Sequence, residues 1–269
     1  MRLICCSASQ DNVNENVPTW IETSCRRHDV LIVGDGVPVC YPHGYGDICQ
    51  SFQIPEKVGP VGCLQAGYEH TTDSILAYIH DDVAIYEPDW DLRVLKEFDD
   101  PTVAVVGFGG GTGLGTPGIY KTPYRLQQLA RSCYASNVRD AEVHGERFTG
   151  ERDVAVLDGF SLIIRRSFLD EIGGWPTKDL TFHMYDAFIG CMARRYGYRV
   201  RLVGIDCHHF GGRTSTRPGY NDWLKTKYGK TDVDIHSGAH EYCYREFRDL
   251  LPFDVRDVPT RRTAEVGQC

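Results

Sequence analysis

The stretch AYIHDDVAIYEPDW, residues 77–90, begins as an apolar strand, breaks at His80, Asp81 and Asp82, and resumes as VAIY. Extended back to Ser74, the run SILAYIH reads as one short buried strand. The polar triplet therefore stands at that strand's carboxyl end. The next segment, DWDLRVLKEFDD (89–100), has the spacing of an amphipathic helix.

The same pattern recurs on both sides. RLICCSAS (2–9), DVLIVGDG (29–36) and TVAVVGFGG (102–110) read as further strands, and NVPTWIETSCRRH (16–28) and GPVGCLQAGYEHTT (59–72) as helices. Residues 37–59, rich in Pro, Gly and Tyr, read as an irregular connection. Strands alternating with helices predict an α/β fold with a mostly parallel sheet flanked by helices. In such sheets ligands sit beyond the carboxyl ends of the strands. Asp35 and the His80-Asp81-Asp82 triplet both fall at such ends, so two strands bring acidic groups to one edge.

The second half differs. FGGGTGLGTPG (108–118) is a glycine-rich loop without the strand-to-helix setting of a dinucleotide site. Residues 119–153 are polar, and a partly helical segment is expected around YRLQQLARSCYAS (124–136). VAVLDGFSLIIRRSFLDEIGG (154–174) reads as strand, turn, strand and short helix. DAFIGCMARRYG (186–197) is a helix closed by Gly197, and YRVRLVGIDCHHF (198–210) a last strand ending in His208 and His209. The expected organisation is a single domain over 1–245, with a nucleotide-binding half (1–107), an insert (108–153) and an acceptor and metal-completing half (154–245). A surface-wrapping or mobile tail is expected over 246–269.

Bulk properties narrow the class. The 269 residues are 42% hydrophobic and 25% charged, which suits a globule with a sizeable core. No apolar run approaches the roughly 18–20 residues of a membrane span, and MRLICCSAS is too short for a signal peptide, so a cytoplasmic location is expected. None of the eleven cysteines forms a CxxC pair, which predicts reduced, mostly buried thiols. The net charge of −8 counts against broad binding to nucleic-acid phosphates. Arg194, Arg195, Arg199 and Arg201 are a local exception, either a basic patch or a solvated helix end and strand edge.

Acidic and imidazole groups at strand ends suit a divalent metal such as Mn²⁺ or Mg²⁺ with positions left for substrate phosphates. Taken in order, the strand with HDD, then YEPDW, DGFSLIIRRSFLDEIGGW, YDAFIGCMARRYGYRV and CHHFGG resemble the GT-A glycosyltransferases, in particular the family-2-type group of inverting, nucleotide-sugar-dependent enzymes. The resemblance covers roughly residues 2–215 and implies a Rossmann-like GT-A fold, a metal-dependent transfer from a nucleotide-diphosphate donor such as a UDP-sugar, and a hydroxyl acceptor.

It also implies roles. Asp82 falls where that family's DxD motif places its metal-binding second Asp. His80 replaces the first Asp and Asp81 takes the variable middle, both on the donor side. Asp35 matches an acidic position that reads the nucleotide base, although an Asp beside Gly is also common in turns. Ser7 and Ala8 match the loop that meets the nucleotide, Gln65 lies on the helix that lines the donor site, and Arg213 is a candidate phosphate partner. Asp186 matches the general base, and equally suits a first-turn helix acid. The Glu that precedes this base in the family is Tyr185 here. His208 or His209 matches a late histidine of the metal shell; adjacent strand residues face opposite ways, so one faces the site. Asp158, Gly159 and Phe160 match the loop meeting donor sugar and acceptor, and Trp175 an aromatic wall that equally suits a core anchor. Other readings are a nucleotidyltransferase or a non-catalytic sugar-binding relative. The acceptor could be a glycan, a small molecule or a hydroxylated DNA base, the last disfavoured by the net charge.

Overall fold

The computed structural model describes residues 1–117, 129–132, 135–136, 146–211 and 219–255. The chain opens with β1 (Arg2–Ser7), α1 (Gln10–Glu22), β2 (Asp29–Asp35), β3 (Cys49–Ile54), α2 (Pro60–Glu69), β4 (Ile75–His80), β5 (Val83–Ile85), α3 (Trp90–Glu97) and β6 (Val103–Gly107). Seven short strands follow: β7 (Gly109–Gly111), β8 (Gly113–Pro117), β9 (Leu129–Ser132), β10 (Ala135–Ser136), β11 (Glu146–Arg147), β12 (Glu151–Asp153) and β13 (Val156–Leu157). Then come β14 (Ser161–Arg165), α4 (Arg166–Ile172), α5 (Tyr185–Arg195), β15 (Arg199–Val203), β16 (Cys207–His209), α6 (Tyr220–Tyr228), α7 (Asp232–Phe247) and β17 (Phe253–Asp254).

Eight strands form the main sheet in the order β12-β15-β6-β14-β4-β1-β2-β3. The run from β4 to β3 is parallel throughout. β14 inserts antiparallel between β4 and β6, and β15 pairs parallel with β6. The sheet is thus mixed and mostly parallel, with helices on both faces. Period-2 alternation splits its side chains between two cores. Ile4, Leu76 and Tyr78 point to the face covered by α2, α4 and α5. Leu3, Ala77 and Ile79 point to the face where α1 and α3 bring Val17, Trp20 and Trp90. Burying these apolar faces is the main favourable term holding the layers together.

The strand order reverses beside β1, because β2 lies on one side of it and β4 on the other. Cys6 of β1 stands in register with His80 of β4, so both strands end together and open a crevice at their carboxyl ends. Past that edge, β5 pairs antiparallel with β16, placing His209 opposite Val83 and His208 opposite Ala84.

The elements depart from the sequence expectations in places. α1 starts at Gln10, earlier than expected, because the Ser9 side chain caps it by accepting from the Asn12 amide. β3 lies inside the segment read as irregular; as an edge strand its residues are largely exposed, and its polar alternation hid it. The expected strand 102–110 divides at Phe108 into β6 and β7, which belong to different sheets, and the described residues of the segment expected to be helical, 129–132 and 135–136, are the strands β9 and β10. Beyond residue 245, α7 continues to Phe247, Leu251 and Phe253 are buried, and β17 pairs with β8. The arginine cluster is largely neutralised. Arg195 pairs with Glu246 and Asp249, Arg199 with Asp100 and Asp153, and Arg201 with Glu97. The described cysteines are all free and most are buried. No helix among the described residues is long and apolar enough to cross a membrane.

Candidate active site

A cleft of about 380 Å³ opens at the reversal of strand order, lined by Ser7 and Ala8, by Asp35 and Lys57, and by His80, Asp81, Asp82, Tyr185 and His209, with Phe182, His183 and Tyr220 on its outer wall. Local structure explains how the polar residues arrive there. β4 ends at His80, and the chain turns through Asp81 and Asp82 into β5. α1 braces this turn, with Asn16 Nδ2 donating to the Asp81 carbonyl at 2.8 Å and Trp20 Nε1 to the Val83 carbonyl at 2.5 Å. The Ser7 hydroxyl donates to Asp81 Oδ2 at 2.5 Å, tying the ends of β1 and β4 together. Asp81 is thereby committed to protein contacts, and Asp82 is the carboxylate of the pair that faces the histidines.

Asp82 Oδ1 lies 3.4 Å from His209 Nε2 and 3.9 Å from His80 Nδ1, and the three ligand atoms fall within 4.8 Å of one another. Asp82 Oδ1 is buried and makes no hydrogen bond. Burial pushes the Asp82 carboxyl up, but the His209 and His80 imidazoles outweigh it and hold the pKa at about 2. Desolvation lowers the His80 pKa, against the opposing pull of Asp82, while 40% of that side chain still meets solvent. An ionised carboxylate with a buried, unbonded oxygen between two imidazoles fits a divalent cation. His80, Asp82 and His209 are the residues that would hold it. Two imidazole nitrogens with one carboxylate oxygen suit Mn²⁺ better than the strongly oxygen-preferring Mg²⁺.

The late histidine pair separates as strand alternation requires. His209 turns to Asp82 and stacks on the buried Phe160 ring, with centroids 4.7 Å apart. His208 lies outside the trio and stacks on Phe210 at 4.1 Å. Phe160 also fixes the site through its backbone, since its carbonyl accepts from the His80 amide at 2.9 Å.

The remaining expected residues divide between cleft and support. Asp35 reaches the cleft, but its carboxylate also accepts from the Val58 and Gly59 amides at 2.6 and 3.2 Å, holding the chain's entry into α2. Gln65 lies outside the cleft lining and accepts from the Trp175 amide at 2.9 Å, joining α2 to the turn after α4. Trp175 itself is 4% exposed and packs edge-on against Tyr78, in the core and not on the cleft wall. Asp158, through Oδ1, accepts from the Phe160 amide at 3.3 Å and shapes the turn before β14. Tyr185 and Asp186 open α5 directly after Met184, whose φ of 64° is a left-handed conformation costly for a side chain of this kind. Tyr185 lines the cleft, and its hydroxyl stands 2.9 Å from His80 Nε2. Asp186, 9% exposed, sits on the same helical turn and accepts from the Ala187 amide through Oδ1. Arg213 lies outside the described residues. Sequence reasoning missed Lys57, Phe182, His183 and Tyr220 in the cleft; a lysine, two aromatics and a histidine outside any periodic pattern carry no spacing signal.

The sequence profile of a family described as "glycosyltransferase like family" matches residues 43–245. No curated protein matches the chain. Among solved structures, the mannosyltransferase PcManGT from Pyrobaculum calidifontis, in complex with GDP-Man and Mn²⁺, is 17% identical with a TM-score of 0.52, over 90% of this chain and 68% of that one. GalNAc-T7 with UDP, GalNAc and Mn²⁺ is 12% identical with a TM-score of 0.60, over 90% of this chain and 49% of that one, so this chain spans about half its length. At such identities the likeness shows the fold alone, which is GT-A.

Proposed function

This chain belongs to the glycosyltransferase-like family and is a glycosyltransferase, and we propose that it moves a sugar from a nucleotide-diphosphate donor to an acceptor hydroxyl with inversion, dependent on a divalent cation. The observation that carries the reading is the buried, unbonded Asp82 Oδ1 between His80 and His209, in a cleft that Asp35 and Lys57 also line. Supporting it, both structural neighbours named above are described with Mn²⁺ and a nucleotide or nucleotide sugar.

In this reading Asp35, Ser7 and Ala8 meet the nucleoside, and Lys57 is a positive group of the same cleft. When bound by His80, Asp82 and His209, a divalent cation supplies charge neutralisation for the departing nucleoside diphosphate. Asp186, on the first turn of α5, accepts the proton of the acceptor hydroxyl. The freed oxygen pair forms the new bond to the anomeric carbon from the face opposite the leaving group. The bond to the diphosphate breaks with its electron pair left on the phosphate oxygen. The half of the chain that binds the donor is residues 1–107, and residues 154–245 supply Asp186 and His209.

The test is a panel of nucleotide sugars, UDP-sugars first, incubated with Mn²⁺ and candidate acceptors. Asp186→Ala is expected to reduce transfer by at least about 100-fold, the scale of losing a positioned general base, while leaving donor binding by thermal shift in place. Transfer retained by Asp186→Ala would remove Asp186 from the role of base.

A further inference from the structure

We propose that Tyr185 is a positioning residue that fixes the tautomer of His80, so that Nδ1 presents its lone pair to the centre shared with Asp82 and His209. The inference rests on the cation site argued above and concerns what makes His80 a usable part of it.

A neutral imidazole carries one N–H, and which nitrogen bears it is set by the partner of the other. His80 Nδ1 faces Asp82 Oδ1 at 3.9 Å, and His80 Nε2 faces the Tyr185 hydroxyl at 2.9 Å. If the phenol donated to Nε2, the ring proton would sit on Nδ1 and block that nitrogen as a ligand. If Nε2–H donates to the phenol oxygen, Nδ1 is free. The neighbourhood favours the second arrangement. The buried Gly159 carbonyl, which can only accept, is within hydrogen-bond reach of the Tyr185 hydroxyl at 3.5 Å. The phenol oxygen is then left to accept from His80.

The phenol is held in this position from several sides. A Cβ built on Gly159 would lie 2.4 Å from the Tyr185 hydroxyl oxygen, so that glycine is what admits the group. The Tyr185 ring packs edge-on against Trp175 with centroids 6.2 Å apart, and the left-handed Met184 directs the start of α5. The two positions at which the sequence departs from the resemblance to family-2-type enzymes, His80 and Tyr185, are therefore bonded to each other. The departures read as one device, an imidazole in place of a carboxylate together with the phenol that orients it.

The experiment is a titration with Mn²⁺ alone, followed by EPR, on wild type, Tyr185→Phe, His80→Ala and the double variant. Wild type should bind Mn²⁺ and show couplings to two imidazole nitrogens in pulsed spectra. Tyr185→Phe should weaken binding by about 10- to 100-fold, the usual cost of removing a partner that orients a ligand, and should lose one nitrogen coupling. In the His80→Ala background the same change should cost little further affinity, because the partner it orients is gone. Equal weakening in both backgrounds, or two unchanged nitrogen couplings in Tyr185→Phe, would overturn the inference while leaving the cation site standing. No Mn²⁺ binding by folded wild type would overturn both.

Discussion

Gly159 shows how closely the site is fitted at the level of single atoms. Its Cα faces the Tyr185 phenol so closely that a methyl group would sit 2.4 Å from the oxygen and 2.7 Å from the ring carbon that bears it. The ring is buried on a helix and cannot swing away as a flexible chain would. Gly159→Ala is therefore expected to destabilise the fold by roughly 1–3 kcal/mol, the usual cost of overpacking, seen as a lower urea midpoint with an unchanged slope. An unchanged midpoint would mean that the phenol moves freely, against the account of its role. Much of the site could be read from single residues: the HDD triplet, Asp35 and the late histidine pair all arrive at one edge. The choice between His208 and His209 could not, because it depends on which ring finds Phe160 and which finds Phe210. Nor could the link from His80 to Tyr185, which joins residues far apart in sequence.

The elements behind the site depend on a second buried polar group. Asp91, at the start of α3, accepts from the Cys25 and Arg26 amides and pairs with His28 Nε2 at 2.9 Å, joining the end of α1 to α3 and β2. Desolvation lowers the pKa of His28, opposed in part by Asp91. The sign follows from linkage. Above the ordinary histidine value of about 6.5 the ring is neutral in both states and nothing is lost. As pH falls through that value, the unfolded chain takes up a proton that the native ring resists, so stability declines until the lowered native pKa is reached. Urea midpoints at pH 7.5 and 5.5 should differ more in wild type than in His28→Gln; equal differences would show that His28 carries no such penalty. Elements with a buried periodic face, such as β4 and α5, were legible in the sequence. α1 and β3 were less so, since the first half of α1 is polar and buries Asn12 and Asn16, while β3 is an exposed edge strand.

The molecule as a whole places its chemistry where the topology demands it. A mixed, mostly parallel sheet reverses its strand order beside β1, and the crevice at that point is lined by Asp35, Lys57 and the His80, Asp82 and His209 trio. The order of strands and motifs made this architecture readable, because each motif sat in its expected strand or helix. The outer wall was not readable, since Phe182, His183 and Tyr220 are gathered only by the packing of α6 and α7 against the loop before α5. Cation-dependent transfer is tested by release of nucleoside diphosphate from nucleotide sugars by wild type and by folded Asp82→Asn, each with Mn²⁺, with EDTA, and with Mn²⁺ restored. Release by wild type is expected to disappear in EDTA and return with Mn²⁺, and to be absent in Asp82→Asn throughout. Full release in EDTA, or by Asp82→Asn, would contradict it.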